Sequence, residues 1–167
     1  MKTYAFALLS GLLVAAPCQA AVRISIDLAK QRLTATRGGG ESVVWKISSG
    51  RPGFETPTGR YSVMRMEADH YSDEYDQAPM PYAIFFSPRG LAIHGSHERG
   101  LGSPRSHGCV RLSVGNAEKL FEWVEAQGGA TIEIVGDTPA GRSRERARAR
   151  RAPQAEPETP LEQVYRY

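Results

Sequence analysis

Apolar and polar residues alternate with a period of two along Val22-Arg23-Ile24-Ser25-Ile26-Asp27, and more loosely along Arg32-Leu33-Thr34-Ala35-Thr36. Successive side chains of a strand point to opposite faces, so the pattern predicts two strands, each with one buried face. The short polar link at Ala29-Lys30-Gln31 makes them a hairpin. Gly38-Gly39-Gly40 punctuates the next run, 42–48, and Ser49-Gly50-Arg51-Pro52-Gly53 ends it. Thr56-Pro57-Thr58-Gly59 is a turn entering a run at 60–66. Two further short apolar runs, 81–86 and 91–94, flank Ser87-Pro88-Arg89-Gly90, and 131–135 predicts a last strand. A helical period appears once, at 113–127. There Ala117, Leu120, Phe121 and Val124 recur at i, i+3, i+4 and i+7 between a candidate N-cap, Ser113, and the stop Gly128-Gly129. Seven or so short strands with one helix predict a mainly β sandwich or barrel rather than a doubly wound α/β fold.

Composition changes this picture only at the ends. The formal charge is +3, yet from Ala21 to Gly141 there are 13 Lys and Arg against 14 Asp and Glu. The excess comes from 142–167, with 7 against 4, and six of those arginines (Arg142, Arg144, Arg146, Arg148, Arg150, Arg151) fall within ten residues. Basicity confined to a segment with almost nothing apolar to bury predicts a disordered tail over 138–167 and gives no reason to expect a nucleic-acid partner for the folded body. At the other end, Lys2, the apolar stretch 5–16 and Pro17-Cys18-Gln19-Ala20 have the layout of a secretory signal peptide cleaved after Ala20. No run reaches 18 apolar residues, so no transmembrane segment is predicted. The expected organisation is therefore a signal segment at 1–20, one folded body at 21–137 and the basic tail.

Removal of 1–20 leaves Cys109 as the single cysteine of a chain sent across the inner membrane, to a compartment where disulfides persist. Its setting, Ser106-His107-Gly108-Cys109-Val110-Arg111, is polar, with a histidine two positions before and an arginine two positions after. That is the surrounding of a reactive thiolate rather than of an inert buried thiol. A thiol nucleophile needs an imidazole to take its proton and a third group to orient that imidazole. All four histidines lie within 38 residues, and both His94, at the end of a predicted strand, and His107 are candidates for the base. The amides around Gly108 and Cys109 are candidate oxyanion donors, and Arg111 is suited to a bidentate grip on a substrate carboxylate.

At these residues the chain resembles a known family. Ile93-His94-Gly95, then Leu101-Gly102, then Ser106-His107-Gly108-Cys109-Val110-Arg111-Leu112 resembles the active-site signature of the L,D-transpeptidases of bacterial peptidoglycan, the YkuD-type catalytic domain. Thr56-Pro57-Thr58-Gly59-Arg60-Tyr61 resembles the family's Thr-Pro-Thr-Gly-x-Tyr segment, and Met80-Pro81-Tyr82 its pocket-lining strand start. The resemblance runs from about Val22 to Val135. It implies a β-sandwich with one main helix after the active-site Cys109, and a thiolate that attacks the carbonyl of the diamino acid at position three of a tetrapeptide stem, expelling D-Ala. An amine of another stem, or of an outer-membrane protein, then resolves the thioester. It implies His94 as proton carrier, oriented through a backbone carbonyl, and places His107, Gly95, Ser106, Gly108, Arg111 and Tyr82 around the thiol, substrate and oxyanion. It further implies no cofactor or metal, action in the periplasm or cell envelope, and acylation of Cys109 by carbapenems. The gap between His94 and Ser106 is short for the family, which predicts a compact loop over 96–105, and the arginine-rich tail has no family counterpart.

Other readings remain for the sequence. Water in place of an amine makes the same fold an L,D-carboxypeptidase or amidase. A secreted zinc-binding module would draw on His94, His97, His107 and Cys109, although no Cys-x-x-Cys pair anchors it. A catalytically silent wall-binding domain would leave the polar setting of Cys109 unexplained.

Overall fold

The two period-two stretches at the start of the chain lie together in a five-stranded sheet. In a computed structural model, which describes residues 21–73 and 75–137, the order of elements is β1 (Val22–Asp27), β2 (Arg32–Thr36), β3 (Ser42–Lys46), β4 (Gly59–Ser62), β5 (Arg65–Glu67), β6 (Ala83–Phe85), β7 (Ala92–Gly95), β8 (Val110–Leu112), α1 (Val114–Ala126) and β9 (Ala130–Val135). The expected signal segment 1–20 and the expected tail 138–167 lie outside the described residues, as does Glu74. Among the described residues no helix is long and apolar enough to cross a membrane.

The first sheet runs β3-β2-β1-β9-β4 and the second β5-β6-β7-β8. In the antiparallel hairpin Ile24 stands opposite Ala35 and Ile26 opposite Leu33. β9 lies parallel on the other side of β1, with Ile132 beside Ile24 and Ile134 beside Ile26. Two apolar rows thus cross the middle of the sheet, all six residues at most 2% exposed. Burying each Ile or Leu contributes roughly 1.5–3 kcal/mol. A slip of one residue would turn the rows to solvent, which fixes the register. The second sheet answers with Ile84, Ile93, Val110 and Leu112, and α1 with Ala117, Leu120, Phe121, Trp123 and Val124, so that both sheets and the helix close over one core.

Two local expectations are corrected, and a third holds in position without its side-chain bond. The run at 60–66 is two strands in different sheets, β4 beside β9 and β5 beside β6. Val63 still donates to Ala130 O at 3.4 Å, while Met64 donates to Phe85 O at 2.8 Å. A change of partner between adjacent residues leaves no mark on a period-two pattern. β8 forms at the signature itself, where the chain was expected to lead straight into the helix; it pairs parallel with β7. Ser113 occupies the N-cap position with an extended backbone, but its side chain makes no capping bond. Its carbonyl instead accepts from Asn116 at 3.1 Å and Ala117 at 3.0 Å. At the other end Gly128, at φ +68°, takes the left-handed conformation that lets the chain leave the helix.

Candidate active site

β7 and β8 pair in parallel, with His94 beside Arg111 and Ile93 beside Val110. Alternation then assigns their faces. Ile93 and Val110 enter the core, whereas His94 and Arg111, together with Ala92 and Cys109 two positions before each, turn to the other side. Ala83, Phe85, Ala92 and Met80 form a small apolar floor there, against which Cys109 packs. A cleft of about 420 Å³ opens above it, lined by His94, Cys109, Arg111, Ser106, His107 and Glu98, with Ser72, Asp73 and Tyr75 facing them.

His94 is 5% exposed, and its Nδ1 lies 2.8 Å from Gly95 O. A carbonyl only accepts, so Nδ1 carries the hydrogen and Nε2 is left with its lone pair. Burial pushes the imidazole pKa down to about 4; the nearby Arg111 acts in the same direction and the Gly95 hydrogen bond opposes them. At neutral pH His94 is therefore an uncharged base of defined tautomer, fixed on a strand. His107 has a different environment. It is partly exposed, with Phe54 edge-on at 4.9 Å and Tyr75 stacked on it at 4.3 Å. Burial and the neighbouring Arg51 and Arg111 hold its pKa below the usual value as well. Both histidines line the cleft, but only His94 has a carbonyl orienting its ring.

Among the described residues Cys109 forms no disulfide, and it is partly exposed. The turn before it is held by Ser106, which is 1% exposed: its Oγ donates to Cys109 O at 2.5 Å and accepts from Gly108 N–H at 3.1 Å. Gly108 sits at φ +118°, and a Cβ there would lie 2.9 Å from Leu91 Cδ2. Ser106 is thus a brace for the turn. Arg111, its side chain 16% exposed, holds Glu98 Oε2 at 2.6 Å through Nη1.

Several of the expected site residues have partners within the fold. The Gly108 amide donates to Ser106 Oγ. The Gly95 amide donates to Pro81 O at 2.8 Å and its carbonyl accepts from His94 Nδ1. Tyr82 lies away from the cleft: its ring meets Phe121 of α1 at 5.9 Å and its hydroxyl donates to Glu118 at 2.6 Å, a bond that raises its pKa. With Ala83 and Phe85 turned toward the cleft, alternation sends Ile84 to the core, and Tyr82, at φ +57°, leaves the strand direction altogether.

Sequence reasoning missed the places of Glu98 and Thr56 at the site. Glu98 and Tyr75 come from segments without periodicity, and only folding brings them to the cleft. Thr56, read as part of a turn, donates to Gly108 O and so touches the turn that carries the cysteine. The 96–105 loop, expected to be compact, is tied back to the end of β3 and beyond: Gly102 donates to Ile47 O at 2.7 Å, and Arg105 and Ser106 both donate to Ser49 O at 2.9 Å. Among the described residues no group of three or more His, Cys, Asp or Glu stands where one metal ion would be held, so His94, His97, His107 and Cys109 do not converge as the zinc reading required.

Residues 21–152 match the family model described as the YkuD L,D-transpeptidase catalytic domain. The chain is 31% identical over 100 residues to probable L,D-transpeptidase 3 of Mycobacterium tuberculosis, an alignment covering 52% of this chain and 37% of that protein. An L,D-transpeptidase from Stackebrandtia nassauensis shares the fold at a TM-score of 0.63 and 24% identity, over 78% of this chain and 62% of that one. L,D-transpeptidase 3 from Mycobacterium tuberculosis, in complex with a faropenem-derived adduct, superposes at a TM-score of 0.58 with 26% identity, over 70% of this chain and 60% of that one. The chain thus spans less than two thirds of the length of each of these relatives.

Proposed function

Because the chain belongs to the YkuD family of L,D-transpeptidase catalytic domains, we propose that it is a cysteine-dependent acyltransferase acting on peptidoglycan stem peptides. The observation that carries this reading is the buried, neutral His94, its Nδ1–H held by Gly95 O, on the sheet face it shares with Cys109 and Arg111. His94 Nε2 takes the thiol proton, and the thiolate attacks the carbonyl of the third residue of a tetrapeptide stem. The C–N bond to the terminal D-Ala breaks, His94 returns the proton to the departing amine, and a thioester remains. An acceptor amine then attacks the thioester, gives its proton to His94, and the thiolate leaves and regains that proton. Arg111 binds a stem carboxylate in place of Glu98, a charge-assisted contact. The acceptor is an amine of a second stem or of an envelope protein. Mass spectrometry of the protein with imipenem tests the reading: a covalent adduct on Cys109 is expected, and an unmodified Cys109 would overturn it.

The acidic segment 67–77 acts in this proposal as a lid. Its base is closed by Met80 N–H to His70 O at 2.7 Å and Ser72 N–H to Ala78 O at 3.0 Å, and it rests on the site through the Tyr75–His107 stack. Its carboxylates suit the amino group of a stem's diamino acid. Neutralising Asp73, Glu74 and Asp76 together is expected to raise KM for stem peptides several-fold more than it slows imipenem acylation; equal effects on both would make the segment a plain loop.

The body at 21–137 is proposed to be the catalytic unit, exported by the segment 1–20, with the tail as an electrostatic tether to anionic wall material. Deleting 142–167 is expected to leave turnover of a soluble tetrapeptide unchanged and to weaken pelleting with sacculi at low salt. With a Debye length of about 8 Å at physiological ionic strength, added salt should erase the difference. Equal pelleting of both proteins at low salt would remove the tether.

A further inference from the structure

We propose that Thr56 is a positioning residue for the nucleophile, fixing the peptide that joins Gly108 to Cys109; the proposal rests on the acyl-transfer reading above. Thr56 is 2% exposed. Its Oγ1 donates to Gly108 O at 2.8 Å and accepts from Gly50 N–H at 2.9 Å. One hydroxyl thus links the chain beyond β3 to the residue before the cysteine, 52 positions away.

A restraint from outside is needed at this point. Gly108, without a Cβ, has wide backbone freedom, and it sits at φ +118°. Ser106 holds the Gly108 N–H, which fixes the peptide before Gly108. The peptide after it contains the Gly108 carbonyl and the Cys109 N–H in one plane, so whatever grips that carbonyl sets the rotation of the whole unit and the direction in which Cys109 leaves it. Thr56 makes that grip. Its own position has little slack, because the chain folds back tightly between Gly50 and Thr56. A Cβ on Gly50 would lie 1.9 Å from Phe54 O and 2.7 Å from Thr56 N.

The test compares full-length Thr56→Val, which keeps the shape and removes the hydroxyl, with Thr56→Ser, which restores it. Ile24→Val is the control, since it trims a buried side chain of β1, whose ladder partners are β2 and β9 rather than the turn. Imipenem acylation is followed by stopped flow and iodoacetamide alkylation of Cys109 at neutral pH in parallel. For Thr56→Val the maximal acylation rate should fall on the order of 10- to 100-fold, the scale of a small misplacement of a reacting group, with the half-saturating concentration within about twofold. Alkylation should slow as well, Thr56→Ser should recover both rates, and Ile24→Val should lower the urea midpoint without slowing either. If the valine variant does not fold, Thr56→Ala takes its place with the same expected ranking. Wild-type rates in the variant lacking the hydroxyl, failure of serine to rescue, or equal slowing by Ile24→Val would overturn the proposal. Absence of imipenem acylation in the wild type, with the alkylation ranking intact, would instead remove the transpeptidase reading and leave the positioning role standing.

Discussion

Replacing His94 with alanine is expected to slow acylation of Cys109 at neutral pH by roughly two to four orders of magnitude, the usual worth of a positioned acid–base group, while the protein stays folded. His94 is the imidazole whose tautomer is set, by Gly95 O at 2.8 Å, and whose burial keeps it neutral at the pH where it must accept a proton. His107→Ala should be milder, on the order of tenfold or less, because removing an uncommitted ring between Phe54 and Tyr75 disturbs packing rather than proton transfer. Stopped-flow acylation by imipenem, with circular dichroism to verify folding, ranks the two. The opposite ranking would exchange their roles.

The same burial makes a second large effect, on stability. In the unfolded chain an imidazole titrates near its ordinary value of 6.5, but in the folded protein His94 titrates at about 4. Between these values the unfolded state binds more protons than the folded one. Stability is therefore undiminished above the unfolded value, falls as pH drops through 6.5, and levels off near 4. A shift of this size corresponds to about 3 kcal/mol lost across that window. Urea unfolding of the wild type and of His94→Gln at pH 7 and near pH 4 isolates the contribution: glutamine does not titrate, so the variant should lose about 3 kcal/mol less. Parallel losses in the two proteins would mean that His94 is not held neutral by the fold. The acid limb of the acylation rate should likewise have its midpoint near 4 rather than 6.5, since the neutral base persists to that pH.

Local pattern carried far for this chain. The hairpin β1–β2 follows from alternation at Val22–Asp27 and Arg32–Thr36, and α1 from the spacing of Ala117, Leu120, Phe121 and Val124, because those neighbours in sequence decide which side of an element is apolar. The pairing of Cys109 with nearby histidines was legible from residue types alone, and the resemblance pointed to His94. Tyr82 shows where local reading fails. It stands next to a strand whose neighbours do face the cleft, yet its backbone at φ +57° and the acceptor Glu118 on α1, 36 residues later, turn it elsewhere.

The sequence by itself determined the two-faced strands, the single helix, the mainly β class and the thiol–imidazole–guanidinium set, since each depends on residue types and on spacings of a few positions. Tertiary structure alone decided the rest. The parallel register of β7 and β8 puts His94, Cys109 and Arg111 on one face. Burial and the Gly95 carbonyl give His94 an environment different from that of His107. The amides of Gly95 and Gly108 are taken by Pro81 and Ser106, Glu98 comes onto Arg111, and Thr56 onto the nucleophile's turn. Apart from the two close ties along the chain, these depend on which distant segments meet and on how much water they exclude, and no local pattern of residues encodes either.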